Sequence, residues 1–103
     1  MLLAFDVGNT NIKTGLFDGD KLLTTYRMTT VIPRTSDEYG IVLSAMLSSS
    51  GYSPDQIDSV IVASVVPDVM HSLTNASLKY FGVKPLVVGP GTKTGIRLIK
   101  TIV

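Results

Sequence analysis

The feature that most constrains the fold is a nearly continuous apolar run at residues 59–66, which reads Ser-Val-Ile-Val-Ala-Ser-Val-Val. Such a run is typical of a strand that is buried on both faces, as strands of parallel sheets are. Pro67 follows directly and indicates a helix start, because proline is tolerated at the first helical position. That helix is predicted to end at Gly82. One side of it would carry Met70, Leu73, Ser77 and Tyr80.

Three further strands are predicted in the first part of the chain. Residues 2–6 form a short apolar run that ends at a Gly/Asn turn, and residues 11–17 supply a second strand although Gly15 weakens its pattern. Asp18-Gly19 is typical of a tight hairpin turn, and residues 21–28 would form the return strand. These three strands are therefore predicted to form an antiparallel meander.

Between the meander and the apolar run the hydrophobic period changes from strand to helix. Thr35 and Glu38 have the spacing of a capping box, and Gly51 suits a left-handed helix end. The apolar positions between them recur at helical spacing: Tyr39, Val42, Leu43, Met46 and Leu47. A last buried strand is predicted at residues 85–88. The order strand, strand, strand, helix, strand, helix, strand predicts a mixed α/β fold whose later strands are parallel.

Composition excludes several classes of function. The 103 residues correspond to one domain, and a net charge of +1 without a run of Lys or Arg gives no nucleic-acid-binding surface. The chain has no Cys, and no stretch of about 18 or more apolar residues that would cross a membrane. The apolar start is broken at Asp6 and lacks the basic region of a signal peptide. We therefore expect a cytoplasmic protein that binds neither nucleic acid nor membrane.

The segment with the most chemical content follows the first strand and spans residues 6–13. A tight turn directs several backbone N–H groups into one concavity, which is a natural anion site, and Gly8 lets a phosphate approach the backbone. Asp6 is an oxygen ligand of the kind that Mg²⁺ prefers, and Lys13 adds positive charge. The predicted phosphate-binding residues are Asp6, Val7, Gly8, Asn9, Thr10, Asn11, Ile12 and Lys13, with Asp6 also at the metal. The alternative is a hairpin turn built from Gly and Asn for conformational reasons alone.

A second glycine-rich segment, at residues 89–95, matches neither the spacing of a P-loop nor that of a dinucleotide fingerprint. As a flexible clamp at a substrate cleft it would supply Gly91, Thr92, Lys93, Thr94 and Gly95. The alternative is a Gly/Pro connector between strands. His71, the only histidine, is interpreted as a surface or helix-packing residue because no nucleophile or metal cluster accompanies it.

Three segments resemble the motifs of the type III pantothenate kinase family. Residues 6–11 resemble its opening D-x-G-N-T motif, residues 63–67 its serine-valine-valine-proline segment, and residues 88–96 its glycine-proline-glycine-x-lysine-threonine-glycine segment. The resemblance implies a ribonuclease H-like fold that is duplicated in full-length members, with ATP between the halves. It also implies transfer of the γ-phosphate to pantothenate, with Mg²⁺, a monovalent cation (K⁺ or NH₄⁺) and a homodimer.

The chain departs from the family pattern after the third motif, where a glycine-alanine-aspartate-arginine segment is expected and residues 97–103 follow instead. We therefore expect residues 1–103 to be the N-terminal ATP-phosphate-binding domain without the second domain. No catalytic residue is assigned, because the base is expected beyond residue 103, and this chain alone is expected to be inactive and to self-associate. Two alternatives stay open: a transcriptional accessory protein of the same fold, or a superfamily kinase for another small substrate such as a sugar.

Overall fold

A computed structural model of the chain describes residues 1–64, 66–89 and 91–102. It contains five strands and three helices, together with a 3₁₀ turn at Pro54–Gln56 and a π-helical segment at Ser77–Phe81. The strands are β1 (Leu2–Val7), β2 (Asn11–Asp18), β3 (Lys21–Thr29), β4 (Ser59–Ser64) and β5 (Leu86–Val87). The helices are α1 (Ser36–Ser49), α2 (Pro67–Ala76) and α3 (Lys93–Ile102). Over the residues described, none of these helices combines the length and the apolar character needed to cross a membrane.

The strands form one mixed sheet in the order β3-β2-β1-β4-β5. β1 pairs antiparallel with β2, and β2 pairs antiparallel with β3, which confirms the predicted meander. β4 lies parallel to β1 on its other side, and β5 lies parallel to β4, which confirms the predicted orientation of the later strands. β1 is thus the central strand of the sheet.

The β2–β3 hairpin contains a β-bulge. Near the hairpin turn Phe17 pairs with Leu22, but beyond the bulge Leu16 pairs with Thr24, so Leu23 is an extra residue in β3. The register shifts by one residue from that point to the far end of the hairpin, where Asn11 pairs with Thr29. The bulge therefore determines which residue at the end of β3 lies opposite the turn between β1 and β2.

Both faces of the sheet are covered. Leu3, Phe5 and Val7 of β1 lie in the larger apolar cluster, which includes residues of α1 and α2. Ala4 lies in the smaller cluster on the opposite face, which α3 covers with Leu98, Ile99 and Ile102. On β4 the alternate residues Val60 and Val62 join the first cluster and Ile61 joins the second. The prediction that this strand is buried on both faces is therefore confirmed.

The predicted start and end of the first helix are also confirmed. The Thr35 hydroxyl accepts a hydrogen bond from the Glu38 N–H at 3.1 Å, and the Glu38 carboxylate accepts one from the Thr35 N–H at 3.0 Å. Gly51 beyond the helix has φ +87°. Where α1 crosses the π-helical segment, a Cβ on Gly40 would lie 2.1 Å from the Tyr80 ring. Because Gly40 has no side chain, the ring can lie directly on the helix backbone.

Three sequence predictions about the elements need correction, and one element was not predicted. The strand predicted at 59–66 ends at Ser64; Val65 lies outside the described residues. The strand predicted at 85–88 is only Leu86–Val87, and it is an edge strand whose residues are 54% and 59% exposed, not buried.

The buried face of α2 is the third correction. It consists of Val69, Leu73 and Ala76, with Ser77 following, whereas Met70 and Tyr80 are only partly buried. The π-helical turn changes the phase of the helix before it ends at Gly82, which has φ +69°. Finally, α3 was not predicted at all.

Candidate functional site

The carboxyl ends of β1, β4 and β5 lie at the same edge of the sheet, because these three strands are parallel. Asp6 and Val7 of β1 are in register with Ala63 and Ser64 of β4. The chain after β5 continues along β4, where the Val88 N–H donates to the Val62 carbonyl at 2.8 Å. The three segments singled out in the sequence therefore converge at one edge, which is where open α/β sheets bind ligands.

The turn between β1 and β2, Gly8–Asn11, is closed by a hydrogen bond of 2.9 Å from the Gly8 N–H to the Asn11 carbonyl. Asn9 and Thr10 form its exposed apex, and neither of their N–H groups donates to any residue that the structure describes. A Cβ on Gly8 would lie 3.2 Å from the Asn11 carbonyl oxygen, so a larger residue would strain the turn. The turn thus presents free backbone donors, which is what an anion needs.

Asp6 and Lys13 face each other across β1 and β2. Both are partly buried, and neither joins an ion pair in the part of the chain that the structure describes. Side chains alternate along a strand, so this pair shares the sheet face of the Ala4–Gly15 pair. Ile102 of α3 packs over Gly15, and no described residue of α3 is among those that line the pocket at the next row. An open pocket of about 260 Å³ results, lined by Asp6, Gly8, Asn9, Thr10, Asn11 and Lys13.

Val7 and Ile12, the other two residues of the predicted phosphate segment, point the opposite way. Their side chains are buried in the larger apolar cluster, 2% and 0% exposed. Any contribution from these two residues to a ligand at the pocket comes from backbone atoms. Their side chains instead anchor both ends of the turn in the core.

One residue at this site was not predicted from the sequence. Thr30 follows β3, and its N–H donates to the Thr10 carbonyl at 2.9 Å. The Thr30 hydroxyl donates to the Gly8 carbonyl at 2.8 Å. No sequence motif marks Thr30, because the bulge in β3 decides that it lies opposite Thr10.

The glycine-rich segment at 89–95 leads into a helix. The Gly89 N–H donates to the Thr92 hydroxyl oxygen at 2.8 Å, and α3 begins at Lys93. The interpretation as a connector between strands is therefore wrong; Pro90 lies outside the described residues. Gly95 is buried, and a Cβ there would lie 3.0 Å from the Val88 side chain. Gly95 thus has a packing reason to be glycine.

The structure does not bring Lys93 into the pocket of Asp6. Lys93 is exposed and lines a separate pocket along α3 with Ile96, Arg97, Lys100 and Thr101. A substrate-binding role for residues 91–95 stays a prediction. His71 is exposed on α2, 3.3 Å from the Asn75 amide, and stays a surface residue.

The groups with clearly shifted pKa values lie away from this edge. Hydrogen bonds from Lys79 and Tyr80 lower the pKa of Asp37, which is exposed on the first turn of α1. Hydrogen bonds from Thr35 lower the pKa of Glu38 in the capping box. The amino terminus lowers the pKa of Asp58. These shifts reflect surface contacts that hold elements together.

The donor set at the pocket fits a magnesium ion that arrives with phosphates. Among the described residues no three His, Cys, Asp or Glu side chains cluster as a metal cage. Mg²⁺ characteristically uses one or two carboxylates plus phosphate oxygens and water, and Asp6 supplies one carboxylate at the pocket.

A model of the type III pantothenate kinase family matches residues 2–100. The type III pantothenate kinase of Agathobacter rectalis is 53% identical over 98 residues, which is 95% of this chain and 38% of that protein. Its namesakes from Bifidobacterium longum and Geobacter sulfurreducens are each 51% identical, over 98 and 96 residues. The chain spans about two-fifths of the length of these curated relatives.

A solved structure from Bacteroides thetaiotaomicron, described as a protein with an actin-like ATPase fold and unknown function, is similar with a TM-score of 0.62. The match covers 97% of this chain and 37% of that one, at 12% sequence identity. At that identity the likeness establishes the fold alone. The predicted ribonuclease H-like fold is confirmed, since the actin-like ATPase fold is built on it.

Proposed function

The chain belongs to the type III pantothenate kinase family, and from that premise we propose that it is the ATP-phosphate-binding part of a kinase that transfers the ATP γ-phosphate to pantothenate. The observation that carries the proposal is the pocket that combines the turn's free N–H groups with Asp6 and Lys13. Phosphoryl transfer depends chiefly on positioning the phosphates and neutralising their charge, and this pocket offers both.

Five of the six residues that line the pocket have a proposed task. The N–H groups of Asn9 and Thr10 donate to phosphate oxygens, and Gly8 permits their close approach. The Lys13 ammonium balances phosphate charge as a point charge. Asp6 holds Mg²⁺ directly or through water, and the bound ion neutralises charge on the phosphates. Asp6 is the only carboxylate that lines the pocket, so no described lining residue is left to act as the base for the pantothenate hydroxyl.

Further parts of the proposal rest on the family resemblance alone. They are a monovalent cation, K⁺ or NH₄⁺, a homodimer, a cytoplasmic location, and residues 91–95 as part of the pantothenate site. A second domain that completes the nucleotide site is also proposed. The chain by itself is then expected to bind Mg-ATP weakly and to transfer no phosphate to pantothenate.

Binding of Mg-ATP by isothermal titration calorimetry tests the pocket. Lys13→Met removes a charge-assisted contact and is expected to weaken binding about 10- to 100-fold. Asp6→Asn is expected to abolish the difference between Mg-ATP and metal-free ATP. Asp18 and Lys21 pair across β2 and β3 at the opposite end of the sheet, so Asp18→Asn and Lys21→Met are matched controls that should bind normally. Equal binding by the Lys13 and Lys21 variants would remove the pocket assignment.

The substrate requires a separate measurement. ADP release by the longest product of the source gene, with Mg²⁺ and K⁺ present, should depend on pantothenate. ADP release that is independent of pantothenate in a folded protein would favour another substrate. Absence of any ADP release would favour a regulatory role for the same fold.

A further inference from the structure

Thr30 makes two hydrogen bonds to the turn that forms the proposed phosphate site. Its N–H donates to the Thr10 carbonyl, and its hydroxyl donates to the Gly8 carbonyl. Thr30, at the end of the neighbouring strand, thus holds the carbonyl groups of both Gly8 and Thr10. Thr30 itself does not line the pocket.

The geometry of a trans peptide gives these bonds a consequence on the far side of the turn. The C=O of one residue and the N–H of the next point in opposite directions within one rigid plane. With the Gly8 carbonyl directed at Thr30, the Asn9 N–H points away from Thr30. With the Thr10 carbonyl directed at Thr30, the Asn11 N–H also points away from it.

We propose that Thr30 is a positioning residue for ATP: it fixes the peptide planes of the turn so that N–H groups face the phosphates before ATP binds. The inference rests on the proposed function, because the proposed function supplies ATP as the ligand of the oriented N–H donors. Preorganised donors avoid the cost of ordering the turn when the phosphates arrive. The hydroxyl is the part of Thr30 that a substitution can remove, since every residue except proline keeps the N–H.

The neighbouring Thr29 provides a matched control. Thr29 is the last residue of β3, is exposed, and pairs with Asn11 in the ladder. Its side chain has the same composition as that of Thr30, and it makes no hydrogen bond to a described residue of the turn. A strand-wide effect of losing a threonine hydroxyl would therefore affect both positions, whereas an effect on the turn would be specific to Thr30.

The test uses the longest product of the source gene and compares Thr30→Val, Thr30→Ser and Thr29→Val. One readout is the steady-state KM for ATP beside that for pantothenate. The other is hydrogen exchange, without nucleotide, of the peptide covering residues 6–13. Thr30→Val should raise the KM for ATP about 3- to 10-fold, which is the loss of one hydrogen bond, and leave the KM for pantothenate unchanged. Exchange of the turn should be faster in the same variant.

Thr30→Ser keeps the hydroxyl and should restore both values, and Thr29→Val should match the wild type. If Thr30→Val does not fold, Thr30→Ala removes the same hydroxyl with a smaller side chain. An unchanged KM for ATP, with or without faster exchange, overturns the inference. If the wild type itself turns over no ATP, the proposed function fails and hydrogen exchange alone decides. Faster exchange in Thr30→Val then supports the inference that Thr30 fixes the turn, and unchanged exchange overturns it.

Discussion

Replacing Gly40 with alanine is expected to destabilise the fold, which is the opposite of what helix propensity predicts. Gly40 lies inside α1, and a Gly→Ala change in an unhindered helix interior stabilises by about 1 kcal/mol. Here the added Cβ would lie 2.1 Å and 2.2 Å from Cδ1 and Cε1 of Tyr80. Carbon atoms cannot approach that closely, so either the ring or the helix must move.

The expected change in the free energy of unfolding follows from two opposing effects, the steric clash and the gain in helix propensity. Overpacking a well-filled contact costs about 1–3 kcal/mol, which exceeds the propensity gain of about 1 kcal/mol. The ring is not free to swing, because the Tyr80 hydroxyl donates to Asp37 at 2.9 Å. The free energy of unfolding should therefore fall by about 1–2 kcal/mol. In a domain of this size that lowers Tm by about 5–15 °C.

Thermal and urea unfolding followed by circular dichroism measure the effect. In a Tyr80→Ala background the obstacle is gone, and Gly40→Ala should then stabilise the protein. Ala45→Gly, at an exposed position of the same helix, reports the propensity term without a clash. A Tm for Gly40→Ala at or above the wild-type value would refute the reasoning, as would an equal loss with Tyr80 absent.

Three further changes test other contacts. Gly15→Ala places a Cβ 2.2 Å from Ile102 of α3 and should cost about 1–3 kcal/mol in urea unfolding; a double-mutant cycle with Ile102→Ala should show that the two losses do not add. Thr35→Ala removes the cap of α1 and should cost about 1 kcal/mol by the same assay, whereas Thr35→Ser should be close to neutral. Asp37 has a lowered pKa in the folded state, so its stabilising effect is complete above its unfolded-state pKa and is lost as the pH falls through the folded-state value. The Tm difference between wild type and Asp37→Asn should therefore be present at pH 6 and disappear on acidification, and a constant difference down to pH 2 would contradict this assignment.

Local signals in the sequence predicted the elements that depend on local chemistry. The Thr35–Glu38 capping box and the glycines at helix ends specify backbone hydrogen bonds that form within a few residues. The segment at 6–13 was identified because its polar residues follow an apolar strand directly. In the structure the polar residues of this segment line one pocket, and Asp6 and Lys13 are among them. That pocket's ligand remains a prediction.

The missed helix had a readable signal. In α3 the residues buried against the sheet are Gly95, Leu98, Ile99 and Ile102, which recur at i, i+3, i+4 and i+7. The preceding Gly, Pro and Thr residues are typical of a turn and indicated a loop instead of a helix start. The edge position of β5, in contrast, has no signal in the sequence, because Pro-Leu-Val-Val has the composition of a buried strand. Only the order of strands in the sheet shows that nothing described pairs with its outer side.

Thr30 could not have been found from the sequence, because its position depends on the bulge. A regular hairpin of the same sequence, in which Leu23 paired with Leu16, would continue the register of the Asp18–Lys21 pair and would place Thr29 opposite Thr10. The single-residue shift exchanges the two threonines and turns their side chains to the other face. Neighbouring residues of the same type therefore differ in role for a reason that lies several residues away in the strand.

The central place of β1 in the sheet has a consequence for how the chain is made. β1 can pair with β2 as soon as the first hairpins emerge from the ribosome. Its other edge has no pairing partner until β4, which ends at Ser64, has been synthesised. The Met1 amino group donates to the Gln56 carbonyl, 55 residues away, so the closing contact is distant in sequence. Hairpins form in about 1–10 μs, whereas contacts across long loops form later. A nascent chain that lacks β4 therefore carries its most apolar strand as an open edge, and that interval is when the protein is most exposed to aggregation.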